Sequence, residues 1–510
     1  MLARVFDYVV VGAGSAGCVL AARLTESPDV DVLLLEAGPR DRRLEIRIPA
    51  AFSKLYGSAV DWSYRTVPQQ GLDGREIYVP LGKTLGGSSS INAQMVLRGN
   101  AADQGAWHAP GWSWDDVAGA YARSTAFFPR VPLREPSPLT HAFVASAEAA
   151  GIPRSPDLNA PDNSGVGLVP VSQRGGRRWS VADGYLRPAQ RRPNLTVATN
   201  ARATRVVLER GRAIGVAYRL DGREEEAHAR REVIVSAGAI NSPQLLQLSG
   251  IGPRDVLERA GVDVAHELAG VGRNLLDHLA NGIFCRTRDA VTLYSAESLR
   301  NLARWLLRRS GPLCSNIGEA VAFVRTRPDL TAPDLELLFA PVLFVDEGLS
   351  RPPEDGVTIA AVALQPRSAG EVTLRSADPA AAPLIDPGYL SDPTDADVLV
   401  HGVRLARRIA ATLPLAAFIA DELAPGADAQ SDDAILEHVR ALSQTLYHPV
   451  GTCRLGTDDD AVVDPLLRVR GLDGLRVVDA SVIPRLPRGH TNWPTVMVAE
   501  RAAELIRAAD

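Results

Sequence analysis

Apolar residues in this chain recur mostly in short runs, and the run nearest the start carries the most information. Residues 8–11 are uninterrupted apolar positions, the pattern of a strand covered on both faces, and a second such run at 32–35 ends in Glu36. Between them Gly12, Gly14 and Gly17 keep the spacing G-x-G-x-x-G and open a helix over 15–25. Strand, glycines, helix, strand and acid in this order predict a dinucleotide site. Gly12 permits the tight turn, Gly14 lets the backbone approach a pyrophosphate, and Gly17 lets helix and strand pack closely. The helix N-terminus then faces the phosphates, and Glu36 stands where an adenosine ribose is held. The same turn serves FAD and NAD.

Further on the pattern changes several times. Residues 39–78 are irregular, with loops and short strands around Trp62, Ser63 and Tyr64. A helix over 113–123 starts at Ser113 and turns Trp114, Val117 and Tyr121 to one face, and 140–150 predicts another. Alternation over 195–235, broken by Gly211, Gly215 and Gly222, predicts a β-meander closing on a strand that runs into Ser236, Ala237 and Gly238. A helix is expected to start at Asn241, Ser242 and Pro243 and to end near Gly250. From 286 to 444 come strands at 357–364 and 371–374, a helix at 397–411 and a Pro- and Asp-rich loop at 376–395, which predict an inserted second domain. A strand at 475–478 and a helix at 494–508 return to the first. The helix at 297–310 puts Leu299, Leu302, Ala303 and Leu306 on one face and Arg300, Arg304 and Arg308 elsewhere. It is expected to pack on its own domain, with contact to an anionic membrane as the alternative.

Length and composition narrow the class. The chain has 510 residues, more than one ordinary domain, and its 46% hydrophobic and 23% charged residues are those of a globular protein rather than a disordered one. A formal charge of -5 on a chain this long argues against a nucleic-acid partner. Cys18, Cys285, Cys314 and Cys453 are scattered, so reduced thiols are expected, with neither a disulfide framework nor a metal site. The first strand begins too near Met1 for a cleavable signal, and no apolar run could span a bilayer. The expected location is cytoplasmic, with a peripheral position at the inner membrane face as the alternative.

One more stretch carries chemistry. Residues 82–92, GKTLGGSSSIN, give a backbone of low bulk and many donors that suits a flat or charged ligand.

With GAGSAG at 12–17, this loop, GAINSPQLLQLSGIG at 238–252, GVGRNLLDH at 270–278, YHPVGTCRLG at 447–456, and DASVIP followed by TNWPTVMVAE at 479–500, the chain resembles the glucose-methanol-choline (GMC) oxidoreductases. These are FAD-dependent enzymes acting mostly on alcohols, and the likeness is nearest to the choline and alcohol dehydrogenases. The resemblance implies an α/β architecture, with a Rossmann-like FAD-binding domain and a second, substrate domain on a mainly antiparallel sheet. The expected FAD-binding segments are 1–155, 195–285 and 443–510; those of the substrate domain are 156–194 and 286–442.

The resemblance places FAD against Gly12, Gly14, Ser15, Ala16, Gly17, Glu36 and Ala37, and against Gly86, Gly87, Ser88, Asn92 and Ala93. It adds Val206, Ala237, Gly238, Asp479, Ala480, Asn492, Pro494 and Thr495. His448 and Asn492 would face the flavin ring as the catalytic pair. Oxidising an alcohol moves a hydride to flavin N5 and a proton to a base, for which neutral imidazole is suited. The Asn492 amide would donate to the developing alkoxide. His490 is expected to face out of its loop, with reach into the same pocket as the alternative, and His278 to order a loop near the cofactor. Trp493 either narrows the pocket or packs between domains.

Ile91 stands where some members tether the flavin through histidine, which predicts FAD held without a covalent link. Leu276, Gln94 and Leu97 depart from the usual pattern and are expected near the cofactor. The expected reaction is oxidation of a small-molecule alcohol to an aldehyde or ketone, with electrons leaving to an acceptor other than NAD. Dehydrogenase is favoured over oxidase, while quinone, another carrier and O2 stay open, as do monomer and homo-oligomer. An alcohol oxidase and an FAD-containing hydroxynitrile lyase are the alternatives. An aromatic cage for a trimethylammonium group is not identifiable.

Overall fold

The computed structural model describes residues 4–288, 292–350 and 354–509. Its first sheet runs Leu195–Thr199, Val32–Glu36, Arg4–Val11, Arg223–Val235, Arg212–Leu220 and Ala201–Glu209, and Leu475–Val477 also pairs with Arg223–Val235. The central pairings are parallel: Val10 lies opposite Leu34 and Ile234, and Val235 opposite Val477. Tyr8–Val11 and Val32–Leu35 are buried throughout, because helices or loops cover both faces. The expected meander begins one strand later than the sequence suggests. Leu195–Thr199 pairs in parallel with Val32–Glu36 at one edge, and only the three strands after it form hairpins.

The Ser15–Leu24 helix lies against the C-terminal helix Asn492–Ala509, and both bury apolar residues in one core. A buried ion pair links them: Arg23 Nη2 is 2.8 Å from Glu500 Oε1, which also accepts the Tyr185 hydroxyl at 2.5 Å.

The second sheet is antiparallel and runs Ile419–Ala424, Leu279–Thr287, Gly356–Ala363, Leu335–Ala340, Ala320–Val324 and Gly165–Leu168. The Pro393–Ala410 helix covers it. Packing divides the chain differently from the expected boundaries. The Pro138–Ala149 helix puts Leu139 and Phe143 into this second core, whereas Val181, Tyr185 and Ala189 pack into the first.

Two expected helices are corrected. One starts at Gly238 rather than Asn241, with Pro243 inside it. Pro243 lacks the N–H that would reach the Ala239 carbonyl, and Thr452 Oγ1 donates to that oxygen instead, at 2.6 Å. The other, Leu299–Arg308, does not pack by its leucine face: among Leu299, Leu302 and Leu306 only Leu302 is partly covered, and Trp305 alone is buried. The four cysteines are buried and unpaired with one another. Among the described residues no helix is long and apolar enough to cross a membrane, and no group of three or more His, Cys, Asp or Glu could hold a metal ion.

Candidate active site

A cavity of about 560 Å³ extends from the glycine-rich turn to the second sheet. At its first end Gly12 has φ +97, and a Cβ there would lie 2.5 Å from the Ser236 carbonyl oxygen. A Cβ on Gly17 would come within 1.8 Å of the Gly12 oxygen, so helix and strand pack only with glycine there. Gly14 is different. A Cβ on it would meet nothing within 4 Å, because it borders the cavity.

Glu36 ends its strand at the cavity wall, where Oε2 accepts the Ala13 N–H at 2.9 Å and Oε1 that of Gly38 at 2.8 Å. Burial pushes its carboxyl up to about 7 against the pull of those two donors. The serine loop is tied back by the Gly86 N–H, which donates to the Ala13 oxygen at 2.7 Å. Asn92 Oδ1 accepts from buried Arg178 Nη1 at 2.9 Å, and Arg178 also reaches the Ile46 and Ser89 carbonyls. Burial among these neutral acceptors lowers the guanidinium to about 9. Sequence reasoning missed Arg178, because nothing in Gly-Gly-Arg-Arg-Trp distinguishes it from a surface arginine.

Asp479 accepts from the Gly238 N–H at 2.9 Å, the Ser242 hydroxyl at 2.5 Å and the Ser481 N–H at 2.8 Å, which fixes the Asp479–Ala480 corner. Asn492 Oδ1 accepts the Ser15 hydroxyl at 2.6 Å, while its Nδ2 is buried with no hydrogen-bond partner.

Three histidines meet at the far end. Residues 276–278 pair backbone to backbone with 446–450: Leu276 and Val450 exchange hydrogen bonds, and Leu446 donates to the His278 oxygen. Asp277 Oδ1 accepts the His448 backbone N–H at 2.8 Å. His278 Nδ1 thereby lies 2.9 Å from His448 Nδ1. His278 Nε2 is 3.0 Å from the Leu364 carbonyl, which can only accept, so that nitrogen carries a proton. With burial holding His278 neutral, its group pushed down to about 3, Nδ1 is the lone-pair nitrogen and accepts the proton on His448 Nδ1. Burial and the neighbouring imidazoles hold His448 well below the usual histidine range, so it too is neutral. Its Nε2 is left as a proton acceptor on a ring that lines the cavity.

The structure brings together most of the expected residues. Gly12, Gly14, Ser15, Ala16, Glu36, Ala37, Gly87, Ser88, Asn92, Ala93, Ala237, Gly238, His448, Asp479, Ala480, Asn492 and Thr495 all line the cavity. Gly17 and Gly86 stand behind it. Val206 does not line it: its side chain is in the core and its N–H meets Ser249 Oγ at 2.7 Å, while Ala201, Arg202 and Ala203 present that segment to the cavity. Pro494 is buried away from the cavity, because helical geometry turns it off the face that carries Asn492 and Thr495.

His490 corrects its expectation. It faces inward, its ring 4.6 Å from that of His448, with Nε2 3.1 Å from buried Glu336 Oε1. His278 does more than order a loop, since it touches His448. Trp493 packs rather than lining the cavity: its indole N–H donates to Ser124 Oγ at 2.9 Å and its ring meets Tyr121 edge-on. Leu276 and Leu97 are core residues rather than cavity residues; of the three departures from the pattern only Gln94 reaches the cavity.

These residues fit a flavin dinucleotide. The glycine turn is open at Gly14, the Asn492 amide donor is unused, and the cavity joins the ribose-side acid to the histidines.

Comparison with known proteins agrees with this fit. The family model described as GMC oxidoreductase matches residues 6–280 with its N-terminal part and 366–499 with its C-terminal part. An uncharacterized GMC-type oxidoreductase of Mycobacterium tuberculosis is 49% identical, over 98% of this chain and 99% of its own. An alcohol dehydrogenase [acceptor] of Pseudomonas putida is 40% identical, over 98% and 95%. A solved structure of Aspergillus oryzae formate oxidase, concerned with its FAD modification, superposes with TM-score 0.91 at 28% identity, covering 99% of this chain and 98% of that one.

Proposed function

The chain belongs to the GMC oxidoreductase family, and on that premise we propose that it oxidises an alcohol to an aldehyde or ketone with His448 as the base. The observation that carries this reading is the proton arrangement at His448. Leu364 and His278 hold the Nδ1 proton in place, so that Nε2 offers a lone pair on the cavity lining at neutral pH. Bound FAD supplies the hydride acceptor. The unused Asn492 amide, on a residue held by Ser15 at the glycine-turn end, would donate to the cofactor, while His490, its ring 4.6 Å from that of His448 on the same cavity, stands beside the base. Glu36 holds the ribose, the Ser15 helix start and Gly14 receive the pyrophosphate, and Asp479–Ala480 meets the flavin side chain.

Ile91 lines the cavity and offers no nucleophile, which supports FAD bound without a covalent link. Acid precipitation then leaves the yellow colour in the supernatant; colour in the pellet would contradict this.

The substrate half of the cavity is aromatic and aliphatic, lined by Phe52, Tyr56, Ile317, Leu338, Phe344 and Tyr447. Such a wall favours an alcohol with an aromatic or other apolar body. Electrons leave to an acceptor other than NAD. The test is the visible spectrum of the anaerobic protein with benzyl alcohol, hexanol, ethanol and choline. Bleaching by the first two supports the reading, bleaching by choline alone overturns the substrate class, and no bleaching by any alcohol while dithionite bleaches overturns alcohol oxidation. Readmitting air distinguishes oxidase from dehydrogenase.

A further inference from the structure

The Leu299–Arg308 helix violates the usual rule of burial. A surface helix turns its apolar stripe to the core, yet here Leu299 is 86% exposed, Leu307 84% and Leu306 46%. Trp305 is the one fully buried side chain of the helix, in a small cluster with Ile48, Ala51, Leu313 and Cys314, and Leu302 is partly covered against it. At helical spacing Leu299, Ala303 and Leu306 form one stripe, and Leu307 continues it toward a second stripe of Arg300, Arg304 and Arg308. Arg304 pairs with Glu135 at 2.7 Å, while Arg300 and Arg308 make no ion pair among the described residues.

We propose that this helix is a membrane-docking element that lies flat on an anionic phospholipid surface, with its leucines among the acyl chains and its arginines on the phosphates. Charge favours lipid over a second copy of the chain: a two-fold contact through the leucines would bring two arginine stripes together, whereas an anionic headgroup layer pairs with both. Two carboxylates beside the helix are already used, Glu135 by Arg304 and Glu297 by Lys54, at 2.9 Å for the latter.

The patch is also linked to the cavity wall. The cluster that seats Trp305 includes Ala51, and the same turn, Pro49–Leu55, carries Phe52 into the cavity wall. Phe344, Val345 and Asp346 line the cavity too, and the chain beyond them exposes another apolar side chain at Leu349.

The experiment is co-sedimentation of the FAD-loaded protein with vesicles of phosphatidylcholine alone or mixed with phosphatidylglycerol, at low and high salt. Partitioning to the mixed vesicles should exceed that to phosphatidylcholine by about tenfold and fall with salt. The double variant Leu299→Asp, Leu307→Asp should lose about tenfold, and so should Arg300→Glu with Arg308→Glu. All four side chains lie outside the core, so bound flavin and turnover with a soluble dye acceptor should match the unchanged protein. Wild-type protein that stays in the supernatant, or leucine variants that sediment equally, overturn the proposal. So does a dimer that the leucine variants dissolve while vesicle binding is absent, since a second copy would then cover the stripe.

Discussion

The role proposed for His448 rests on what its other nitrogen touches. A lone imidazole in a cavity could present either nitrogen; the chain from the Leu364 carbonyl through His278 leaves Nε2 the acceptor. His448→Ala should therefore slow anaerobic flavin reduction by an alcohol about 10²–10⁴-fold with FAD still bound, as read by stopped-flow bleaching. His278→Phe removes the acceptor for the Nδ1 proton without touching substrate. It should lower kcat while KM and FAD content stay near those of the unchanged protein.

The pH dependence follows from the depressed histidines. A base must be unprotonated, so activity is lost as pH falls through its pKa, and the acid limb of kcat/KM should lie below pH 6.5. The His278 contribution to stability moves the same way. The folded state, with His278 at about 3, binds fewer protons than the unfolded chain between that value and pH 6.5. The His278 contribution thus falls as pH drops through this window, by up to roughly 1.4 kcal/mol per pH unit, opposed by Glu36, whose carboxyl at about 7 gains its proton earlier in the folded state. Urea unfolding between pH 7 and 5 of the unchanged protein against His278→Phe isolates the His278 part.

Among the elements, the Gly238–Leu248 helix carries a proline that its own sequence cannot accommodate without help. The help is the Thr452 hydroxyl on the Ala239 carbonyl, brought in by the segment that also carries His448. Thr452→Val should cost about 1–2 kcal/mol of stability. In Pro243→Ala the helix regains its own donor, so Thr452→Val in that background should cost less; equal costs would separate the two features. The 276–278 and 446–450 segments matter similarly. Each reads as a loop alone, and their pairing makes a rigid frame for the histidine contact.

Over the whole molecule, the cavity lies between two cores that share few elements, one under the parallel strands and one under the antiparallel sheet. A ligand filling it binds only the folded arrangement. Stripping FAD should therefore lower the thermal midpoint, and restoring free FAD at about 100 times its Kd should return about 2.7 kcal/mol. A midpoint indifferent to FAD would argue against the cofactor occupying this cavity.

Much of the nucleotide end was legible in the sequence because its parts are contiguous. Gly12, Gly14, Gly17 and Glu36 act through a turn, a helix and two adjacent strands, and their spacing alone implies open space at Gly14 and close packing at Gly17. Resemblance brought His448 and Asn492 to the lining of one cavity. What stayed hidden depends on residues far apart in the chain. His490 turns inward because Glu336, on a strand of the other sheet, meets its Nε2. Val206 leaves the site because its strand register presents Ala201–Ala203 instead. Arg178 supports Asn92 across 86 positions. The amphipathic pattern of the Leu299–Arg308 helix was visible, but which face it buries was not: periodicity defines a stripe, and only the surrounding fold decides whether core or solvent meets it. The sequence by itself determined the dinucleotide turn and the chemistry available, since both are written in local spacing. Tertiary structure alone decided which histidine nitrogen is free and which leucines face out, since those depend on neighbours that the chain supplies only after it folds.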